Sequence, residues 1–367
     1  MKLSNVQALR ACAALMIVVF HCGIEAERLS ALTGGSKLFQ EQAWGEGVPI
    51  FFAISGFIMV VTSTNAFGSL RAAIDFMRRR IIRIVPLYWT VTTIALAALL
   101  IAPNLMTKTP PGDHAYIVSS YLFWPSVRMD GQIRPLAAMG WTLNLEMLFY
   151  TVFAVCLILR YSRALIALFA TLGLLVAARV AGLLPGTALN FWGDPIVLDF
   201  LAGAAVGIAF NNGLRISGVA AMALAAAGLI LTFLCWIPEG EQSELPRRLA
   251  EAAPAVMIFV AAALGPQIDD KWKLWRGALA VGDASYSLYL WNPFAVMLLN
   301  VVWRKALLGV LPLWIFIPAG IAISIASALV SYRYFERPFT RRLSGRKAPR
   351  IPAGVGPASA AAYGSSG

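Results

Sequence analysis

Hydrophobic residues come in long runs over most of the chain, and polar residues are concentrated between the runs. A run of about 20 apolar residues is long enough for a helix to cross the hydrocarbon core of a bilayer. The runs predict ten such helices, at about 6–24, 47–64, 84–103, 141–159, 163–184, 194–211, 216–237, 250–265, 277–302 and 310–334. We therefore predict an all-α fold, a polytopic membrane bundle of about ten transmembrane helices.

Two connecting segments differ from ordinary loops. Residues 70–83 place apolar side chains at helical spacing with arginines between them, which predicts an amphipathic helix at the cytoplasmic membrane surface. Residues 104–140 form a long, Pro-rich and aromatic connection on the outer side, and a connection of that length is typically functional or disordered. We predict one membrane domain over 1–340, followed by a basic and then low-complexity cytoplasmic tail over 341–367 that does not fold.

Composition and charge support the membrane class. Hydrophobic residues make up 59% of the chain, charged residues 13%, and the mean hydropathy is +0.73. Of the Lys and Arg residues, eighteen fall in segments predicted to be cytoplasmic and nine in segments predicted to lie outside. This bias predicts that both termini are cytoplasmic, so the net charge of +12 needs no nucleic-acid partner. The four cysteines lie in apolar runs without metal-ligand spacing, and we predict no metal site.

The first apolar run carries Arg10 and His21, eleven positions apart. Three helical turns separate them, so they share one face of the helix at about 16 Å along its axis. Such residues are costly in lipid and usually face a bundle interior. His21 is a candidate general base, because imidazole exchanges a proton near neutral pH. The alternative is a polar pair that fixes helix packing, or a snorkelling arginine with an interfacial histidine.

Three more charged residues are candidates for the same site. Arg80 and Arg83 lie on one helix face, where they could grip the phosphates of a cofactor or contact anionic lipid. Glu146 lies inside the apolar stretch GWTLNLEMLFY, at a depth matching that of His21. We predict that Glu146 orients the His21 imidazole, as a carboxylate does in a catalytic triad. The alternative is a structural partner for an arginine.

Polar side chains in three apolar stretches complete the set of candidates for substrate contact or support. They are Ser55 in GVPIFFAISGFIMV, Trp141 and Tyr150 beside Glu146, and Tyr286 and Asn292 in GDASYSLYLWNPF. For Ser55 and Gly56, close helix packing is the alternative role. The sequence contains no P-loop, dinucleotide-binding glycine fingerprint or zinc motif.

Seven stretches in order resemble the acyltransferase 3 family of bacterial membrane acyltransferases, especially its exopolysaccharide (succinoglycan-type) O-acetyltransferase branch. They are LRACAALMIVVFH, FFAISGFIM, RRIIRIVPLYW, GWTLNLEMLFY, FLAGAAVG, GDASYSLYLWNPF and RYFERPF. The resemblance covers about Leu3 to Phe339. It departs from the family pattern at Asn292, where many relatives carry a histidine.

The resemblance implies a multi-pass protein of the bacterial inner membrane. Its donor would be cytoplasmic acetyl-CoA or another short acyl-CoA. Its acceptor would be a hydroxyl of a carbohydrate or lipid-linked sugar. By the same resemblance, His21 and Glu146 are catalytic, and Arg10, Arg80 and Arg83 bind the donor.

Other functions remain open from the sequence. Arg10, His21 and Glu146 could form the proton relay of a secondary transporter, or the protein could be a scaffold of a polysaccharide export complex. Within the family, the acceptor could instead be a lipid, a peptidoglycan sugar or a small glycoside. Direct transfer and transfer through an acyl-histidine intermediate are both compatible with the sequence. The oligomeric state is also open.

Overall fold

A computed structural model describes residues 3–35, 39, 47–101, 112–234, 244–268 and 273–343. Within these residues the only extended pairing is one antiparallel bridge between Val127 and Ile133, and the all-α prediction is confirmed. The helices are α1 (Ser4–Leu32), α2 (Gly47–Thr62), α3 (Leu70–Ile101), α4 (His114–Tyr121), α5 (Gly140–Cys156), α6 (Tyr161–Val180), α7 (Gly186–Trp192), α8 (Leu198–Asn211), α9 (Gly218–Leu234), α10 (Glu244–Leu264), α11 (Lys273–Asp283), α12 (Ser285–Val302), α13 (Phe316–Ser331) and α14 (Arg337–Leu343). The predicted tail lies outside the described residues from position 344 onward.

Within the described residues each predicted apolar run falls mostly on a helix, but the number of ten membrane spans is not confirmed. By length and composition, four described helical stretches could cross a membrane: α1, α3, α6 and Leu313–Leu343. A fifth is possible if Gly186–Trp192 and Pro195–Asn211, bent by 42°, form one broken span. Within the described residues, the apolar helices α2, α5 and α9 cover 16 or 17 residues each. A helix of that length reaches about 24 Å, less than the bilayer core of about 30 Å.

Helix α3 is longer than the sequence pattern predicted. The amphipathic segment 70–83 and the following span form one helix, Leu70–Ile101, which continues through Pro86. The arginines of the basic segment are therefore held on a helix that enters the bundle. A separate surface helix would have left Arg80 and Arg83 free to face lipid headgroups.

Helices α2 and α8 pack with their backbones in contact. A Cβ atom at Gly56 would lie 1.9 Å from the Phe200 carbonyl oxygen, and one at Gly203 would lie 1.9 Å from the Ala53 carbonyl oxygen. Small residues permit this close approach between membrane helices. The packing predicted for Gly56 is confirmed, and it fixes the helix that carries Ser55.

We expect Gly203→Ala to destabilise the bundle, because the new methyl group would overlap the Ala53 carbonyl oxygen. Overpacking of this kind typically costs about 1–3 kcal/mol. Thermal unfolding in detergent should show a clearly lower Tm than the wild type. Gly173→Ala is the matched control, because Gly173 lies within α6 with open space around it. A Gly203→Ala protein that melts with the wild type would contradict the close packing.

The connection between α3 and α5 is folded against the bundle over residues 112–139. Tyr88 donates a hydrogen bond to the Ser120 carbonyl (2.7 Å), and its ring lies 4.6 Å from that of Phe123. Tyr116 donates to the Arg134 carbonyl (2.9 Å), and burial raises the pKa of Tyr116 to about 12. The hydroxyl therefore stays protonated as a donor and holds the segment that leads into α5. The rest of the predicted loop, 104–111, lies outside the described residues.

Candidate active site

A cavity of about 810 Å³ opens between α1, α2, α3, α5 and α12, and we call it the central cavity. Along α2 its lining runs from Thr62 to Val48, a distance of about 21 Å for fourteen residues of helix. Seven predicted site residues line it: Arg10, Ser55, Arg80, Arg83, Glu146, Tyr150 and Tyr286. The structure thus brings together residues from five helices that the sequence could only propose one by one.

Arg10 is held in the cavity wall by two polar neighbours. Its guanidinium donates to Gln7 Oε1 (3.1 Å) and to Ser285 Oγ (2.8 Å). Gln7 in turn donates to Asp283 Oδ1 (2.5 Å). These contacts join α1 to α11 and α12 and keep a cation at this end of the cavity, which we call the arginine end.

Arg80 also lies at the arginine end, against two aromatic rings. The centre of its guanidinium is 5.2 Å from the Phe76 ring and 5.5 Å from the Tyr150 ring, within the range of cation–π attraction. Its Nε is buried and has no hydrogen-bond partner in the described part of the chain. An unsatisfied buried donor is costly.

Glu146 belongs to the same cavity and does not contact His21. Its Oε1 accepts hydrogen bonds from Ser55 Oγ (2.8 Å) and Tyr150 Oη (2.7 Å). His21 and Glu146, both described, share neither a hydrogen bond nor an ion pair, so the predicted contact between them is wrong. Matched depth along two helices does not fix which way each side chain points, and α5 turns Glu146 toward α2.

His21 is paired with Asn292 instead, and we call this pair the histidine end of the site. The ring Nδ1 lies 2.5 Å from Asn292 Oδ1. The amide nitrogen of Asn292 donates to the Leu288 carbonyl (3.0 Å) and the Tyr289 carbonyl (2.8 Å), which turns its oxygen toward the imidazole. An amide oxygen only accepts, so Nδ1 carries the hydrogen and Nε2 is the nitrogen able to take a proton. Asn292 therefore orients the His21 ring, which is the role that was predicted for Glu146.

The other two supporting candidates take structural positions. Trp141 lies under the guanidinium of Arg134, 5.7 Å from the ring centre, and does not line the central cavity. Tyr286 donates to the Ile84 carbonyl (2.8 Å) and so ties α12 to α3. Within the described residues, no group of three or more His, Cys, Asp or Glu side chains is placed to hold a metal ion.

Sequence reasoning did not single out one carboxylate that contacts α12. Glu336 accepts a hydrogen bond from Ser287 Oγ (2.6 Å) and lies in a π-helical turn, Tyr332–Glu336. Such turns are frequent at functional sites. A carboxylate in the closing stretch RYFERPF was the available signal, since it follows an apolar run directly.

Comparison with known proteins shows the family of this chain. The family described as an acyltransferase domain (Acyl_transf_3) matches residues 3–333. The chain belongs to the acyltransferase 3 family. The exopolysaccharide production protein ExoZ of Rhizobium meliloti (strain 1021) is 32% identical over 317 residues, covering 84% of this chain and 92% of that protein.

A second relative is the O-acetyltransferase OatA of Staphylococcus aureus (strain NCTC 8325 / PS 47), 23% identical over 374 residues. That match covers 93% of this chain and 57% of OatA. No solved structure matches the chain. With its long apolar helices, the chain is therefore a membrane acyltransferase.

In this acyltransferase, α1 and α12 run side by side and join the two ends of the site. Arg10 contacts Ser285, and His21 contacts Asn292. Seven residues of α12, about 10 Å of helix, separate these two contacts. The histidine end therefore lies about two turns of α12 beyond the contact between Arg10 and Ser285.

Proposed function

We propose that the protein is an O-acyltransferase that moves an acetyl or other short acyl group from acyl-CoA to a sugar hydroxyl. The observation that carries the proposal is the pairing of His21 with Asn292 beyond a cavity lined by arginines. The names of two relatives, an exopolysaccharide production protein and an O-acetyltransferase, support an exopolysaccharide or its lipid-linked precursor as the acceptor.

The donor binds with its phosphates at the arginine end. Arg80 and Arg83 present guanidinium groups, which bind phosphate oxygens in pairs. Both arginines line the cavity. The uncharged arm of CoA then extends along the apolar wall of the cavity, past Arg10. Glu146, fixed by Ser55 and Tyr150, offsets part of the positive charge when the donor is absent.

Transfer takes place at the histidine end. Nε2 of His21 removes the proton from the acceptor hydroxyl while the oxygen of that hydroxyl attacks the thioester carbonyl. The tetrahedral intermediate collapses, the carbon–sulfur bond breaks, and the imidazolium returns the proton to the CoA sulfur. The new bond is an oxygen ester, and no net proton is released. Asn292 holds the ring in the required tautomer throughout. An acyl-histidine intermediate would use the same nitrogen as the nucleophile.

The proposal also assigns an orientation in the bacterial inner membrane. Acyl-CoA is a cytoplasmic metabolite, so the arginine end faces the cytoplasm and both termini lie there. The excess of Lys and Arg in the corresponding segments supports this orientation. The acceptor sugar then approaches His21 from the opposite side of the membrane.

The test uses purified protein in liposomes with acetyl-CoA labelled in the acetyl group and non-acetylated exopolysaccharide oligosaccharides as acceptors. We expect label in the oligosaccharide as an alkali-labile ester, together with free CoA in equal amount. Absence of transfer from acetyl-CoA to any sugar would reject the function. Substrate movement across the membrane without a requirement for CoA would favour the transporter.

We expect Asn292→Ala to lower kcat about tenfold to a hundredfold with little change in KM for acetyl-CoA. The imidazole would lose the partner that sets its tautomer, and an unpaired buried polar group costs about 1–3 kcal/mol. Asn300→Ala is the matched control, because Asn300 lies on the same helix and its side-chain amide donates to Glu25 Oε2 (2.9 Å). Equal kcat values for the two variants would contradict the role given to Asn292.

A further inference from the structure

Two hydroxyl side chains of the central cavity are bonded to each other. Thr142 and Tyr289 line the cavity, whereas His21 and Asn292 do not. Thr142 Oγ1 and Tyr289 Oη lie 2.7 Å apart, and both oxygens lie near the Met139 carbonyl, at 3.2 and 3.0 Å. These two side chains therefore form a hydrogen-bonded wall of the cavity.

The wall is fixed by its hydrogen bonds. Two hydroxyl hydrogens serve three short contacts, so one hydroxyl donates to the other and the second donates to the Met139 carbonyl. This arrangement ties α12 to the residue that precedes α5. Tyr289 is buried, and its ring lies 6.4 Å from that of Phe51, which also lines the cavity. The ring therefore has little room to move while these bonds persist.

Tyr289 links this wall to the base. It precedes Asn292 by three residues on α12, about 4.5 Å along the helix axis. Asn292 also donates to the Tyr289 carbonyl (2.8 Å), so the wall and the partner of His21 share one turn of helix.

We propose that Tyr289 and Thr142 form a constriction through which the acyl group reaches His21, and that its width selects short acyl groups. The inference rests on the proposed function, with acyl-CoA as the donor. Each added methylene must fit against an anchored aromatic ring, and apolar sites discriminate one methylene by about 10- to 200-fold. Tyr289 is then a specificity-determining residue for the donor.

The test measures kcat/KM for acetyl-, propionyl-, butyryl- and hexanoyl-CoA with one sugar acceptor. For the wild type we expect kcat/KM to fall steeply from acetyl-CoA to hexanoyl-CoA. Tyr289→Leu should raise the ratio of kcat/KM for hexanoyl-CoA to kcat/KM for acetyl-CoA at least tenfold. Tyr289→Phe keeps the ring but loses its hydrogen bonds with Thr142 and Met139, so it should raise the ratio less than Tyr289→Leu does. Thr142→Ala widens the same wall by a smaller amount and should raise the ratio less. Tyr334→Leu is the control, because Tyr334 is 72% exposed.

Three results would overturn the constriction. They are a wild type that uses all four donors equally, a folded Tyr289→Leu protein with the wild-type ratio, and a Tyr334→Leu protein with the same change as Tyr289→Leu. If Tyr289→Leu does not fold, an unchanged ratio in Thr142→Ala has the same meaning. A wild type that transfers no acyl group from any acyl-CoA rejects the proposed function, and the constriction with it. Acetyl transfer with an unaltered chain-length ratio in the variants rejects the constriction alone.

Discussion

His21→Ala is expected to lower kcat for acyl transfer by about a hundredfold to ten-thousandfold, the range typical of a lost general base. His21 lies outside the lining of the central cavity, so the affinity for acetyl-CoA should stay near that of the wild type. Initial rates in liposomes give the first quantity, and equilibrium binding of labelled acetyl-CoA in detergent gives the second. Together the two measurements separate a role in chemistry from a role in donor binding.

The chain contains its own control, because it has only one other histidine. His114 is exposed at the start of α4, in the connection between α3 and α5. His114→Ala should therefore transfer acyl groups at the wild-type rate. Undiminished transfer by His21→Ala would remove the imidazole from the mechanism. Equal losses in both variants would point to damage to the fold.

The sequence predicts the helices well, because long apolar runs leave the backbone no alternative to helical hydrogen bonding in lipid. It predicts the residues at which the helices begin and end less well. Arginine-rich residues 70–83 read as a surface helix, yet they form the first half of α3. Arg80 and Arg83 line the cavity, whereas Arg78 and Arg79 are exposed, and a cavity cannot be seen in a linear pattern.

The residues of the site were also easier to predict than their contacts. Arg10, Arg80 and Glu146 stand out because each charge lies in or beside an apolar run, and all three line one cavity. The predicted partner of His21 was wrong because the sequence gives the depth of a residue along its helix, but not the helix against which each face packs. Asn292 is 271 positions from His21, and only the packing of α1 against α12 brings them together.

Replacing Arg80 and Arg83 together by alanine is expected to weaken acetyl-CoA binding about a hundredfold or more. Each charge-assisted hydrogen bond to a phosphate contributes about 1.5–3 kcal/mol, and loss of both arginines removes the anion site at the arginine end. KM for acetyl-CoA should rise in parallel, while kcat at saturating donor should change little. S-acetylpantetheine, which carries no phosphate, should bind the wild type and the double variant equally.

The matched control is Arg78→Ala with Arg79→Ala, which removes the same charge from the same helix. Arg78 and Arg79 are exposed and do not line the cavity, so this protein should bind acetyl-CoA nearly as the wild type does. If the two double variants lose affinity equally, the effect comes from the overall positive potential of the surface, which salt would screen. If only the Arg80 and Arg83 variant loses affinity, and does so for acetyl-CoA but not for S-acetylpantetheine, the phosphates are bound at the arginine end. That end then sets the distance over which the donor must extend to reach His21.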